Sequence, residues 1–263
     1  MSTQAHKYAY EVQPGSAPEK VIRMVGMGKR VLEIGPGPGS ITRHLRKNGC
    51  RITALEADQE AIGIVTEFCE QVHACDLNDA QWPGLLAGVD KFPVIVAADV
   101  LEHLYDPWTA LENLRPLLSE DGCVVISLPH AGHNAIVACL LDGDFEYRPW
   151  GLLDKTHIRF WGLKNIQALF EGAGLKIVEA EFVVKTPEQT ELAGHWQRLP
   201  AELRQALAWN RAGNIYQVVL RAVPRIAAGS GLQLESLAVP VPASGAGIRT
   251  GISGILRRLG IGH

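Results

Sequence analysis

Three scarcities narrow the field. The 263 residues include only five cysteines, at positions 50, 69, 75, 123 and 139, and none stand at the short paired spacings of a metal site. Cys69, Cys75 and Cys123 fall in apolar periodic stretches, which reads as buried thiols in a reducing compartment. No stretch holds the ~18 or more consecutive apolar residues of a membrane span. Met1 to Glu11 is polar and carries no apolar core of a signal peptide, so a cytoplasmic location is expected. A basic excess is missing as well. Lys and Arg number 25 against 28 Asp and Glu, a formal charge of −3, which implies no field for gathering nucleic acid.

What the chain does have is apolar bulk, 47% of residues, enough for one large α/β domain with additions. The stretch that organises it is Val31-Leu32-Glu33-Ile34-Gly35-Pro36-Gly37-Pro38-Gly39. A buried parallel strand, a tight turn and a helix start follow from that pattern, with Ser40 as the expected N-cap and Asn48-Gly49 as the stop. Glycine serves such a turn because only a residue without Cβ takes positive φ readily and lets a ligand lie on the backbone. A dinucleotide fingerprint would need its third glycine at position 40, where Ser40 stands, so G-x-G-x-G suits a nucleoside with no pyrophosphate to cradle. The nonapeptide resembles the first motif of class I S-adenosylmethionine-dependent methyltransferases.

Strand–helix alternation continues. Arg51–Glu56 reads as a second strand ending in an acid, about twenty residues past the glycines, where a carboxylate can accept from both ribose hydroxyls. Asp58 is the expected cap of the next helix, and Val72–Asp76 a third strand ending in an acid. Phe92–Asp99 is a fourth strand, and Asp106-Pro107 starts another helix. Between them, Asp99-Val100-Leu101-Glu102-His103-Leu104-Tyr105-Asp106-Pro107 resembles the fourth-strand motif of ubiquinone-biosynthesis-type O-methyltransferases. The Asn/Asp-Pro-Pro-aromatic motif of DNA and RNA N-methylating relatives is absent from this place. Further strands are expected at 123–128, 175–184 and 214–223, with an apolar turn at 135–141 and a helical piece near 201–209.

The resemblance implies a doubly wound, mostly parallel seven-stranded Rossmann-like sheet with helices on both faces and an antiparallel last strand. It divides the chain into an entry segment (1–29), a methyltransferase domain (30–224) with an acceptor-covering insertion near 129–162, and a linker and tail (225–263). The implied cofactor set is Glu33, Gly35, Pro36, Gly37, Gly39, Glu56, Ala57, Asp76, Leu77 and Asp99, with Glu33 at the methionyl end and Asp76 and Leu77 at the adenine. Within the insertion, Gly151–Trp161 is similar to a stretch of methyltransferases from bacterial polysaccharide and secondary-metabolite clusters. His157 is the expected base, Asp154 its orienting acid and His103 a second candidate, since a neutral imidazole accepts protons near pH 7. Asp99, Glu102 and His103 also form an O/O/N set compatible with Mg²⁺, though no metal ligand is assigned.

The expected activity is methyl transfer from S-adenosylmethionine, giving S-adenosylhomocysteine, to a hydroxyl of a small molecule or saccharide. Methylation of a small-molecule amine, a dehydrogenase of similar fold and a non-catalytic cofactor-binding interaction protein stay open. Ile248, Ile252, Ile255, Leu256 and Leu259 recur at helical spacing among arginines, which reads as a contact for a membrane surface or a partner subunit. A homodimer is also open.

Overall fold

A computed structural model describes residues 12–242. The strands are β1 Arg30–Ile34, β2 Arg51–Glu56, β3 Gln71–Ala74, β4 Phe92–Ala98, β5 Leu118–Pro129, β6 Leu175–Val184 and β7 Ile215–Pro224. The helices are α1 Ala17–Val25, α2 Ser40–Lys47, α3 Gln59–Val65, α4 Pro107–Leu114, α5 Asn134–Leu141, α6 Leu163–Gly172, α7 Ala193–Arg198 and α8 Ala201–Leu207. The sheet order is β3-β2-β1-β4-β5-β7-β6. The first five strands are mutually parallel, and β7 runs antiparallel between β5 and β6, the arrangement the resemblance implies.

The central strands are apolar on both faces because helices cover both. Val31, Val94 and Val96 pack with α1, α2 and α5, while Leu32 and Ile95 pack with α4 and α6. Asp58 and Asp106 cap their helices as expected: Asp58 Oδ1 accepts the Glu60 and Ala61 N–H groups, and Asp106 Oδ1 accepts that of Thr109.

Several local expectations are corrected. Ser40 is the first residue of α2, not its cap; Gly39, left-handed at φ 78°, holds the cap position. The entry segment carries helix α1, closed by Gly26, and 135–141 forms helix α5 rather than a turn. All five cysteines are free thiols, with Cys50 and Cys139 buried and the other three half-buried.

Part of the segment expected as a linker is packed on the domain. Arg225 N–H donates to the Gly174 carbonyl, Leu232 N–H donates to that of Ile177, and Leu234 is buried in the core. The stripe from Ile248 to Leu259 and the first eleven residues lie outside the described residues. No described helix is long and apolar enough to cross a membrane.

Candidate active site

Parallel strands deliver their carboxyl ends to one edge of the sheet, and the turn after β1 shapes that edge. Gly35 sits at φ 59°, donates its N–H to the Leu55 carbonyl at 2.8 Å, and has room for no side chain: a Cβ there would come within 2.9 Å of Val100. Gly37 differs. At φ 52°, a Cβ on it would meet no protein atom within 4 Å, so the turn opens onto space a ligand can fill. Its N–H donates to Glu56 Oε2 at 2.9 Å. Glu56 Oε1 accepts from the Ala57 and Asp58 N–H groups at 2.8 and 2.9 Å. Backbone donors thus fix the carboxylate, and Oε2, which takes one bond from the turn, retains acceptor capacity.

Beneath the turn, Glu33 is buried and its Oε2 has no hydrogen-bond partner. Burial, with the Glu56 charge adding, pushes its carboxyl up to about 7. An orphaned buried oxygen under an open glycine turn fits a ligand that brings a polar, cationic group.

Asp76 lies two residues beyond the end of β3 and is exposed. Its Oδ1 accepts from the Asn78 N–H and side-chain amide at 2.9 and 3.0 Å, and Asn78 Oδ1 in turn accepts the Tyr105 N–H. Leu77, between them, is partly buried against the core.

Asp99 directly follows β4, whose last residue is Ala98 rather than Asp99, in an unusual conformation, φ 54°. Its N–H donates to the Ser127 carbonyl, and its Oδ1 accepts the Ser127 hydroxyl at 2.8 Å. The Gln217 amide lies 2.9 Å from each of its carboxylate oxygens. Ser127 and Gln217 were not among the expected site residues; the one signal was a glutamine interrupting the apolar run of β7.

The third cluster joins the segment after β4 to the insertion. The Glu102 carbonyl accepts from the Ile158 and Arg159 N–H groups at 2.9 and 3.0 Å, and His103 Nδ1 donates to the Thr156 carbonyl at 3.1 Å. Arg159 donates to the Tyr105 carbonyl and stacks over Trp108. The His103 and His157 rings meet edge to face with centroids 4.8 Å apart. Glu102 is fully buried, neither carboxyl oxygen has a hydrogen-bond partner, and Oε1 lies 4.0 Å from His157 Nε2. Burial lifts its carboxyl well above the usual carboxylate range, with Asp99 and Asp154 adding.

Asp154 is buried in the insertion, three residues before His157. Its Oδ1 accepts the Thr156 N–H and hydroxyl at 2.8 and 2.6 Å, and its carbonyl accepts the His157 N–H. It shapes the turn that carries His157, while Glu102 faces the ring. Two further buried histidines are held neutral, His130 and His133 both pushed down to about 4 by burial. His133 caps α5 by accepting the Ala135 N–H.

The O/O/N set does not assemble. Among the described residues, Glu102, His103 and His157 bring ligand atoms within 4.8 Å of one another, whereas Asp99 is held by Ser127 and Gln217. One carboxylate with two imidazoles is not the oxygen-rich donor set that Mg²⁺ prefers.

A family described as a methyltransferase domain matches residues 8–180. The ubiquinone biosynthesis O-methyltransferase of Aeromonas salmonicida (strain A449) is 24% identical over 170 residues, 61% of this chain and 68% of that enzyme. The protein of the same name from Glaesserella parasuis serovar 5 (strain SH0165) is 24% identical over 124 residues, 45% of this chain and 52% of that one. Matches therefore span between 52% and 68% of these relatives' own lengths. Magnesium protoporphyrin IX methyltransferase (ChlM) from Synechocystis PCC 6803, solved with SAH bound, superposes with a TM-score of 0.54 at 13% identity, covering 80% of this chain and 83% of that one. At that identity the likeness is one of fold.

Proposed function

The chain belongs to the methyltransferase-domain family, and from that premise we propose that it moves a methyl group from S-adenosylmethionine to a hydroxyl of a small molecule or saccharide. It is a class I S-adenosylmethionine-dependent methyltransferase. The observation that carries the site reading is the open turn at Gly37 tied to the Glu56 carboxylate.

S-adenosylmethionine supplies an activated methyl on a sulfonium, whose thioether leaves without protonation. The residues of this chain must then bind, orient and deprotonate. Glu56 takes the ribose hydroxyls on its remaining acceptor capacity. Asp76 and Leu77 meet the adenine, and Glu33 and Asp99 face the cationic methionyl end. Ala57 and Pro36 border these contacts.

The acceptor's proton goes to the histidine pair. His157 stands at the end of the Asp154 turn, its Nε2 4.0 Å from the buried Glu102 carboxyl. His103 holds a proton on Nδ1 toward Thr156, which places a lone pair on Nε2, the tautomer a base requires. The insertion also carries an aromatic cluster, where Phe145 packs edge-on against Tyr147 and Phe160 and the last two are exposed. Such rings suit the flat side of a sugar or an aromatic acceptor. Five free thiols fit a reducing cytoplasm.

Incubation with S-adenosylmethionine and a panel of hydroxyl and amine acceptors, read by S-adenosylhomocysteine release, tests the reading. Turnover on hydroxyl acceptors is expected. Turnover on amines alone would overturn it.

A further inference from the structure

We propose that Glu191 is a positioning residue: its carboxylate pins the Gly151-Leu152 dipeptide of the insertion to the start of β7 and so sets the ring of His157 for proton transfer. The inference rests on the reading that His157 takes the acceptor's proton. Glu191 itself stands outside residues 8–180, the part of the chain that the family match covers.

Glu191 lies between a 3₁₀ turn, Pro187–Gln189, and α7. From there its two oxygens serve two elements that are distant in the chain. Oε1 accepts the Leu152 N–H at 2.5 Å, and Oε2 accepts the Tyr216 hydroxyl at 3.0 Å. Both partners are donors, so a carboxylate suits the place where a lysine or arginine could hold neither. Tyr216 is the second residue of β7, buried in the same core cluster as Leu152. The insertion is therefore fastened to the sheet itself. The approach is close enough to dictate the residue at 151: Gly151 sits at φ 96°, and a Cβ there would collide with the Glu191 carboxylate.

What the pinned dipeptide holds, in turn, is the bend that carries His157. The Gly151 carbonyl accepts the Asp154 N–H at 3.2 Å, and the Leu152 carbonyl lies 3.4 Å from His157 Nδ1. A carbonyl only accepts, so in this contact Nδ1 carries the hydrogen of a neutral ring and Nε2 carries the lone pair. That is the tautomer in which Nε2 is the basic atom. If Leu152 shifts, the contact loosens, and the imidazole is free to turn or to exchange its hydrogen. Asp154 thus shapes the bend from within, while Glu191 sets its register against the sheet.

The test combines two readouts on the full chain, with thermal unfolding as the check on folding. Nitrogen NMR of the neutral His157 ring, its signal identified by its loss in His157→Ala, reports which nitrogen carries the hydrogen. Turnover of a hydroxyl acceptor from the panel above reports kcat. In wild type the hydrogen should sit on Nδ1. Glu191→Ala should mix the two tautomers and lower kcat by roughly tenfold, while S-adenosylmethionine affinity changes by less than about twofold. Glu191→Gln should restore both readouts, since its oxygen can take the Leu152 N–H and its amide can donate to the Tyr216 oxygen. In a His157→Ala background, Glu191→Ala should cost less than about a further twofold, because the two residues act through one ring. Should Glu191→Ala fail to fold, Glu191→Asp keeps the charge, shortens its reach and is expected to show the same change. A wild-type tautomer and rate in Glu191→Ala, a Gln variant as impaired as the Ala variant, or an undiminished loss in the His157→Ala background would overturn the inference. Normal turnover by His157→Ala overturns the reading beneath it as well, whereas a slow His157→Ala beside a normal Glu191→Ala overturns the inference alone.

Discussion

The Gly37 N–H donates to Glu56 Oε2 at 2.9 Å, so the turn after the first strand and the end of the second are set by one contact. Gly37→Val tests what lies above it. The new Cβ meets no protein atom within 4 Å, and the left-handed backbone adds a strain of about 1–2 kcal/mol. Binding of S-adenosylmethionine should nonetheless be abolished in calorimetry, because the side chain enters the ligand's space. Unchanged affinity in a folded variant would sink this site.

The histidine pair gives a second test. His157→Ala should lower kcat by roughly 10²–10⁴-fold and leave S-adenosylmethionine affinity nearly intact. The wild-type rate should fall as the solution is acidified, since an imidazolium cannot accept the acceptor's proton. If His157→Ala turns over normally while His103→Ala does not, the base is His103, and His157 serves to pack it.

Glu33 makes a prediction about stability. Its carboxyl sits at about 7 in the fold against an ordinary 4.5. Below pH 4.5 both folded and unfolded chains hold the proton. Between there and about 7 the unfolded chain has released it while the folded chain keeps it, so stability falls as pH rises through that window. The loss is on the order of 3 kcal/mol for a shift of this size. Glu33→Gln should therefore flatten the denaturant-midpoint profile between pH 4.5 and 7, and be more stable than wild type at pH 8. An identical slope in the variant would contradict the assignment of that titration to Glu33.

How much of this was legible varies with the length scale involved. β2 and β6 fall at the bounds read from the sequence, Arg51–Glu56 and Leu175–Val184, because each is an apolar run closed by turn residues. Glu56 was legible for the same reason: a strand end fixes where its last side chain must go. Ser40 was misjudged because serine caps helices well in isolation, yet the left-handed glycine before it had already taken the position. The partners of Asp99 and His157 were out of reach. Gln217 is separated from Asp99 by 118 positions, and their meeting depends on β7 lying between β5 and β6. Glu102 faces His157 only because an aperiodic insertion folds back on its backbone.

The segment after β7 is also predicted to matter. Leu234→Ala should destabilise the domain by about 2–5 kcal/mol, as expected for a buried leucine. A thermal midpoint unchanged by that substitution would mean the segment rests on the domain without supporting it.

The placement of β7 has a consequence for synthesis. It pairs with β5 on one side and β6 on the other, yet it is the last of the described strands to leave the ribosome. Until residue 224 has emerged, β5 and β6 each present an edge with unpaired backbone groups, a surface on which emerging chains can pair wrongly. Every parallel strand is made well before that moment and waits for a closing piece that sits inside the sheet, not at its margin. Pausing in translation just ahead of β7 would therefore be the costliest place for this chain to stop.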